Sequence, residues 1–138
     1  MIEIINRQHK HRINQKKFKN LLNRLIEHHK LEDPETSLVF VGTKAIKTLN
    51  RRFLKKDAPT DVLSFPIGEK SSDGKYYLGD IIISVPQAFK QSRRLNHSLE
   101  RELEILVIHG FLHLIGFEHG GGIEEEESKM KTLFLKEN

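Results

Sequence analysis

The chain has 138 residues and contains no cysteine. This absence excludes a disulfide framework, thiol catalysis, and any zinc or iron–sulfur site built on cysteine ligands. A metal ion in this protein must therefore be held by His, Asp or Glu. Long apolar runs are missing as well. The longest, residues 103–117, carries Glu104 and two histidines, and it falls short of the roughly 20 residues that span a bilayer. We therefore expect no contact with a membrane.

The N-terminus also lacks the features of a secretory leader, because Met1–Asn6 is short and is followed by basic residues. We therefore expect a cytoplasmic protein. A length of 138 residues fits one domain, given the usual size of roughly 100–200 residues. We expect this single domain to cover residues 1–138.

What the chain does have is positive charge in clusters. The net charge is +4, and basic residues gather in four places: 7–12, 16–19, 51–56 and 93–94. Such a surface suits a polyanion such as RNA or DNA, whereas lysine-rich helix faces are in most cases only solvated. Charge alone leaves both interpretations open.

The spacing of apolar residues predicts the secondary structure. Ser98 is a candidate cap for the longest helix, and Thr43 for a helix that buries one face. Pro66 is expected to end a strand. The predicted strands are 2–5, 37–41, 62–65 and 77–84. The predicted helices are 14–30, one that begins at 43, 86–95, one that begins at 98, and 124–135. The helix that begins at 43 is expected to bury Ile46, Leu49, Asn50 and Phe53. This order predicts an α/β (α+β) fold, a single domain with a small mixed four-stranded sheet and about five helices.

Two histidines lie in the helix that Ser98 begins. His109 and His113 are four residues apart, so they share one face and lie roughly 6 Å apart along the axis. The helix around them is apolar on nearly every side and is therefore expected to be buried. A buried imidazole needs partners for its nitrogens. Those partners are either backbone carbonyls and acids, or a metal ion.

His119 favours the metal. On a continuous helix it would lie about 15 Å beyond His109, too far to share one ion. Gly116, however, stands three residues after His113, where a helix ends in a left-handed cap. The chain can then turn back and bring His119 to the same ion. Three histidines leave a fourth position for water, which is the open arrangement of catalytic zinc, and the zinc-bound water is the expected nucleophile.

The spacing of the three histidines also matches that of long-motif zinc proteases. Those enzymes place a glutamate, their general base, after the first histidine, and here that position is Gly110. Peptide hydrolysis by that route is therefore disfavoured. Glycine instead leaves room for the close approach of another strand or of substrate.

Several acidic residues are candidates for a supporting role. Asp61 and Asp80 stand at or near strand starts, where either one is placed to orient a ligand histidine. The alternative is that both bond nearby backbone, as turn and strand-end aspartates usually do. The run Glu124–Glu127 is interpreted as an acidic first turn favoured by the helix dipole.

Four segments together resemble the YbeY family of bacterial rRNA maturation factors. They are Leu49–Phe53, Asp57–Pro66, Gly79–Ser84 and His109–His119, in the family's order. The histidine motif with glycine at its second position is highly specific. The resemblance implies a zinc-dependent, single-strand-specific endoribonuclease that acts in ribosome quality control and on rRNA, notably toward the 3′ end of small-subunit rRNA. It places the family's three metal ligands on His109, His113 and His119, with one zinc ion per chain.

The chain departs from the family at Leu54, where the motif normally carries an arginine considered important for activity. Arg51 and Lys55 are candidates to supply a cation to the same space. We expect RNA to bind the basic surface formed by Arg51, Arg52, Lys55 and Lys56. The leucine either packs into the core or points toward the cleft.

Two functions from different classes remain. The first is a metallo-endoribonuclease acting on single-stranded RNA. The second is a ribosome-assembly protein that binds RNA, holds a mainly structural zinc and cleaves little. An open fourth metal position beside a basic cleft favours the first, and a closed coordination shell favours the second.

Overall fold

The structure, a computed structural model, describes residues 1–135. Four strands and five helices follow one another in the order β1 (Ile2–Asn6), α1 (Gln15–His28), β2 (Glu35–Val41), α2 (Thr43–Leu54), β3 (Val62–Lys70), β4 (Tyr76–Ser84), α3 (Val85–Arg94), α4 (Leu99–Leu114) and α5 (Ile123–Phe134). None of these helices combines the length and the apolar character that crossing a membrane requires.

The strands form one sheet in the order β1-β2-β4-β3. The pairs β1–β2 and β2–β4 are parallel, while β3 and β4 form an antiparallel hairpin. The predicted mixed four-stranded sheet with about five helices is therefore confirmed. Strand β3 lies at an edge of the sheet and pairs only with β4. This position affects how much of α2, the helix that follows β2, is buried.

The two faces of the sheet are covered differently. Side chains alternate along a strand, so every second residue points to the same face. One set packs against α1, α4 and α5 in the larger apolar core, and its fully buried members are Leu38, Phe40, Ile81 and Ile83. On the opposite face, Val41 and Leu63 of the sheet form a smaller cluster with Ile46 of α2.

Helix α4 lies directly on the β3–β4 hairpin at Gly110. A Cβ atom at this position would be 2.7 Å from Cγ2 of Ile81 and 3.3 Å from Oγ of Ser64. The Ser64 hydroxyl donates a hydrogen bond of 3.2 Å to the Gly110 carbonyl. The close approach predicted for this glycine is confirmed, and its partner is a strand. The glycine therefore sets the distance between α4 and the sheet, and with it the position of His109 and His113.

The predicted start of α4 is also confirmed. The Ser98 side chain accepts a hydrogen bond of 3.0 Å from the backbone N–H of Arg101. It thereby satisfies one of the free N–H groups at the helix start. The equivalent prediction for α2 is wrong, because Gly42 is the N-cap residue and Thr43 is already helical.

The strand predicted to end at Pro66 continues to Lys70. Proline lacks an N–H group, but β3 is an edge strand, and its pairing with β4 shifts register between Pro66 and Glu69. An irregular edge tolerates a residue that cannot donate. A tight turn follows β3, in which the N–H of Ser71 bonds the carbonyl of Lys75 at 2.9 Å.

The buried face of α2 is shorter than predicted. Ile46 and Asn50 are buried, and the Asn50 side chain donates to the Ala58 carbonyl at 2.9 Å. Phe53, however, is 57% exposed, which corrects the prediction that it is buried. The last turn of α2 lies at the sheet edge, where the Phe53 ring meets Phe65 of β3 with centroids 5.5 Å apart. Too little sheet remains there to cover it.

Candidate metal centre

Helix α4 ends as Gly116 predicts. This residue has a φ of +102°, in the region that favours glycine. Its N–H bonds the carbonyl of His113 at 3.1 Å, and the N–H of Phe117 bonds the carbonyl of Leu112 at 3.0 Å. This pair of bonds is the Schellman arrangement, which satisfies the last carbonyls of a helix and reverses the chain. The reversal brings His119 back beside the end of α4.

The three predicted histidines meet in one cluster. Their ring centroids are 4.6 Å apart for His109 and His113, 5.5 Å for His109 and His119, and 5.4 Å for His113 and His119. One ring nitrogen of each lies within 4.8 Å of the others. The structure therefore brings together residues that are up to ten positions apart in the chain.

The donor atoms fit a metal ion. Nε2 of His109 and Nε2 of His113 are 3.1 Å apart. Zinc–nitrogen bonds of 2.0–2.1 Å with tetrahedral angles place two donors about 3.3 Å from each other, so little movement is needed. Imidazole nitrogens are also ligands that zinc accepts readily. The residues present are thus suited to a divalent metal held by His109, His113 and His119.

Glu127 holds the first of these histidines. Its carboxylate accepts a hydrogen bond of 2.7 Å from Nδ1 of His109, which leaves Nε2 of that ring free to face the cluster. This bond is the main reason why the pKa of His109 is raised, while burial of the ring works in the opposite direction. A carboxylate behind a ligand histidine fixes both the tautomer and the orientation of the ring.

Glu127 was not among the predicted site residues, because the run 124–127 has the pattern of an acidic first helix turn. The signal lay in the spacing of α5. Glu127 stands four residues after Ile123 and three before Met130, and both of these are buried. Residues at this spacing share a helix face. A charged residue on an otherwise buried face needs a partner, and that partner is His109.

The other two histidines differ in their surroundings. Burial is the main cause that lowers the pKa of His113, and the neighbouring His109 and His119 act in the same direction. This favours the neutral imidazole, the form that binds metal. The His119 side chain is 72% exposed and lies 3.5 Å from a carboxylate oxygen of Glu124. The cluster is therefore open to solvent on the His119 side.

The two predicted aspartates lie in different places. Asp61 accepts hydrogen bonds from its neighbour Val62 N–H at 2.8 Å and from Nε2 of Gln91 at 3.2 Å. Its charge also helps to raise the pKa of His109, so it belongs to the electrostatic surroundings of the cluster. Within residues 1–135, the Asp61 carboxylate thus accepts from Val62, Gln91 and Thr60, and it bonds no ligand histidine.

Asp80 is not brought to the cluster. It alternates with Ile81, whose side chain meets Gly110 of α4, so Asp80 points to the opposite face of the sheet. There its carboxylate accepts a hydrogen bond of 2.5 Å from the Ser37 hydroxyl on β2. This bond joins two side chains across neighbouring strands, so it is neither a contact with a ligand histidine nor the bond to nearby backbone that the sequence left open.

The predicted RNA surface lies at the end of α2. Arg51, Arg52, Lys55 and Lys56 are all exposed. Lys55 closes the helix with a φ of +58°, and its N–H bonds the Arg51 carbonyl at 3.1 Å. The segment after it, 57–60, runs directly to Asp61, whose charge acts on His109. The basic surface is therefore connected to the surroundings of the cluster by a short loop.

Replacing Glu127 with glutamine is expected to weaken zinc binding about tenfold, because the amide holds the His109 ring less firmly than a carboxylate does. The pKa of His109 in the metal-free protein should fall toward its ordinary value, since the main cause of its rise is removed. Zinc titration and NMR titration of the imidazole measure these two effects. Glu125→Gln on the exposed side of α5 is the matched control. Unchanged zinc affinity in Glu127→Gln would contradict the role of this carboxylate.

The fold and the cluster together define a small α/β protein with a three-histidine centre suited to a divalent metal. Comparison with known families matches residues 3–136 to the YbeY family, described as "Endoribonuclease YbeY". The chain belongs to this family. The resemblance found in the sequence is thereby confirmed.

Individual relatives agree with this assignment. Endoribonuclease YbeY of Oceanobacillus iheyensis is 48% identical over 106 residues, covering 71% of this chain and 68% of the relative. Endoribonuclease YbeY of Persephonella marina is 38% identical over 133 residues, covering 95% and 84%. Among solved structures, TM1509 from Thermotoga maritima superposes with a TM-score of 0.63 at 31% identity, covering 94% of this chain and 86% of that one. The fold is therefore shared along nearly the whole chain.

Proposed function

We propose that this protein is a zinc-dependent endoribonuclease that cleaves single-stranded RNA in the cytoplasm. We further propose that it works on the ribosome, in maturing the 3′ end of small-subunit rRNA and in ribosome quality control, with residues 1–138 as one catalytic domain. The observation that carries the proposal is the three-histidine cluster, which is open to solvent at His119. Membership of the endoribonuclease YbeY family supports the RNA substrate.

His109, His113 and His119 would hold one zinc ion per chain. Zinc with three imidazole ligands supplies a Lewis acid and activates water as a nucleophile near neutral pH. The surrounding residues prepare this site. Glu127 accepts the Nδ1 hydrogen of His109, on the side of the ring away from the cluster. Gly110 lets α4 pack closely on the sheet, which fixes the position of His109 and His113.

RNA would bind along the end of α2. Single-strand binding sites combine cations for the phosphates with aromatic faces on which bases stack. The four cations of residues 51–56 flank Phe53 in the chain, its ring is exposed, and the Arg52 guanidinium lies 5.8 Å from the ring centroid. Apolar spacing predicted that Phe53 is buried, but its exposure makes it a candidate stacking platform. The loop to Asp61 then leads toward the histidine cluster.

Replacing both Arg51 and Lys55 with glutamate is expected to weaken binding of single-stranded RNA at least tenfold. The slope of log affinity against log salt should also become shallower, because two phosphate contacts are lost. The zinc content should stay normal, since these side chains are exposed and are not among the ligands. The matched control is Lys16→Glu with Lys19→Glu on α1, which changes the net charge equally. If both double variants bind RNA alike, the surface is wrongly placed.

A second candidate function is an RNA-binding ribosome-assembly protein with a mainly structural zinc. The observation in its favour is Leu54, which stands where the family motif carries an arginine. Cleavage assays with zinc-loaded protein separate the two functions. We expect zinc-dependent cutting of a labelled single-stranded RNA, with an RNA duplex of the same sequence left intact. RNA binding without cleavage at any zinc level would favour the second function.

A further inference from the structure

A second group of metal-binding side chains lies where α1 meets α5. His28 is the last residue of α1, His29 is its C-cap, and Glu126 lies in the first turns of α5. One ligand atom of each lies within 4.8 Å of the others. None of these residues belongs to the three-histidine cluster, and neither the resemblance nor the proposed function gives them a role.

The two polar contacts of the His29 ring require a proton or a metal ion at its Nε2. Its Nδ1 lies 2.8 Å from the Leu25 carbonyl, and since a carbonyl oxygen only accepts, Nδ1 carries a hydrogen. Its Nε2 lies 2.8 Å from a carboxylate oxygen of Glu126. In the neutral ring this nitrogen is an acceptor too, so two acceptors face each other. Either a proton on Nε2 or a metal ion between the two groups resolves the contact.

The presence of His28 favours the metal ion over the proton, because a proton shared by His29 and Glu126 needs no third group. The His28 ring stands edge-on to His29, with centroids 5.0 Å apart, and it also makes an edge-on contact with Phe134, with centroids 5.8 Å apart. The pair of His97 and Glu102, 2.7 Å apart, offers a comparison. No His, Cys, Asp or Glu within residues 1–135 completes that pair to a group of three.

We propose that His28, His29 and Glu126 form a second divalent-metal site, suited to zinc. Two imidazoles and one carboxylate are ligands that zinc takes up in proteins, with solvent in the remaining position. The approach of His29 and Glu126 would have to lengthen from 2.8 Å to roughly 3.3 Å to admit the ion between them. This is a small movement for a glutamate that is only partly buried.

The second ion would tie α1 to α5 next to the first site. Glu126 precedes Glu127, the residue that holds His109. The ring of His29 also packs against Phe111 of α4, with centroids 5.6 Å apart. An ion on His28, His29 and Glu126 therefore fixes the first turns of α5, and with them the carboxylate behind a ligand of the first site. Its binding should raise the melting temperature of the whole chain.

Zinc titration of the full, metal-stripped chain tests this site. Calorimetry, with cobalt absorption as a second measurement, should show about two metal equivalents in the wild type. His28→Ala should lower this to about one, although it leaves the contact between His29 and Glu126 in place. Glu126→Gln should do the same. His9→Ala, an exposed histidine in the loop after β1, is the matched control and should keep two.

His113→Ala separates this proposal from the proposed function. It should also lower uptake to about one equivalent, and His28→Ala combined with it should remove specific binding. One equivalent in the wild type, lost in His113→Ala, would show that His29 and Glu126 share only a proton, and would overturn the second site while leaving the first intact. Two equivalents retained in both His28→Ala and Glu126→Gln would also overturn it. Melting curves with and without zinc confirm that each variant folds.

Discussion

Replacing His113 with alanine is expected to weaken zinc binding at the three-histidine centre by more than about a hundredfold and to reduce RNA cleavage to background. Loss of a residue that merely orients a ligand costs 10- to 100-fold in metal affinity, so loss of a ligand itself should cost more. His113 is also the ligand whose neutral form is favoured by burial. Protons therefore compete less with the metal for this ring than for an ordinary imidazole.

The fold should survive this substitution. His113 lies near the end of α4, and the helix cap formed by Gly116 and Phe117 depends on backbone groups that alanine retains. Elemental analysis after dialysis against a weak chelator measures the zinc, and cutting of a labelled single-stranded RNA measures activity. His9→Ala, which changes an exposed histidine near the N-terminus, should match the wild type in both. A folded His113→Ala protein with unchanged zinc affinity at this centre and full activity would contradict the assignment.

The three-histidine cluster could be predicted from the sequence because its causes are local. Four-residue spacing places His109 and His113 on one helix face, and a glycine at 116 ends that helix within one turn. Both rules act over a few residues. The reversal they predict is present, with Gly116 at a φ of +102° and His119 beside the other two rings.

Glu127 could not be assigned in the same way, because its bond to His109 joins two helices and spans 18 residues. Which acid of the run 124–127 turns inward depends on how α5 packs against α4. A helical projection narrows the choice to Glu126 and Glu127, which both stand three or four residues from Ile123 and Met130, but the partner of each follows only from the packed structure. The same holds for His29 and Glu126, which are 97 residues apart in the chain.

The errors on α2 and β3 have a common physical origin at the sheet edge. Apolar spacing predicted that Phe53 is buried, and the proline rule predicted that β3 ends at Pro66. Both rules assume a neighbour on each side, whereas β3 has β4 on one side only. Position in the sheet follows from the strand order β1-β2-β4-β3, and no local pattern contains that order.

Leu54→Arg is expected to raise the single-turnover cleavage rate of single-stranded RNA at least tenfold. The family motif normally carries an arginine at this position, and arginines that face a phosphate in the transition state contribute several kcal/mol in related phosphoryl chemistry. Leu54 is 50% exposed, so this side chain does not pack into the core. The substitution neither empties a cavity nor buries a charge, and the variant should fold and bind zinc as the wild type does.

The position of Leu54 makes this result specific to the guanidinium group. It is the last residue of α2, and the backbone turns at Lys55, which has a φ of +58°, toward the loop that leads to Asp61. Leu54→Lys adds the same charge without the fork of donors, and should therefore give a smaller increase. Leu54→Gln adds polarity without charge and should leave the rate unchanged. A Leu54→Arg protein that is folded and zinc-loaded, yet cleaves no faster than Leu54→Gln, would contradict this prediction. Position 54 would then not contribute to the reacting site in this protein.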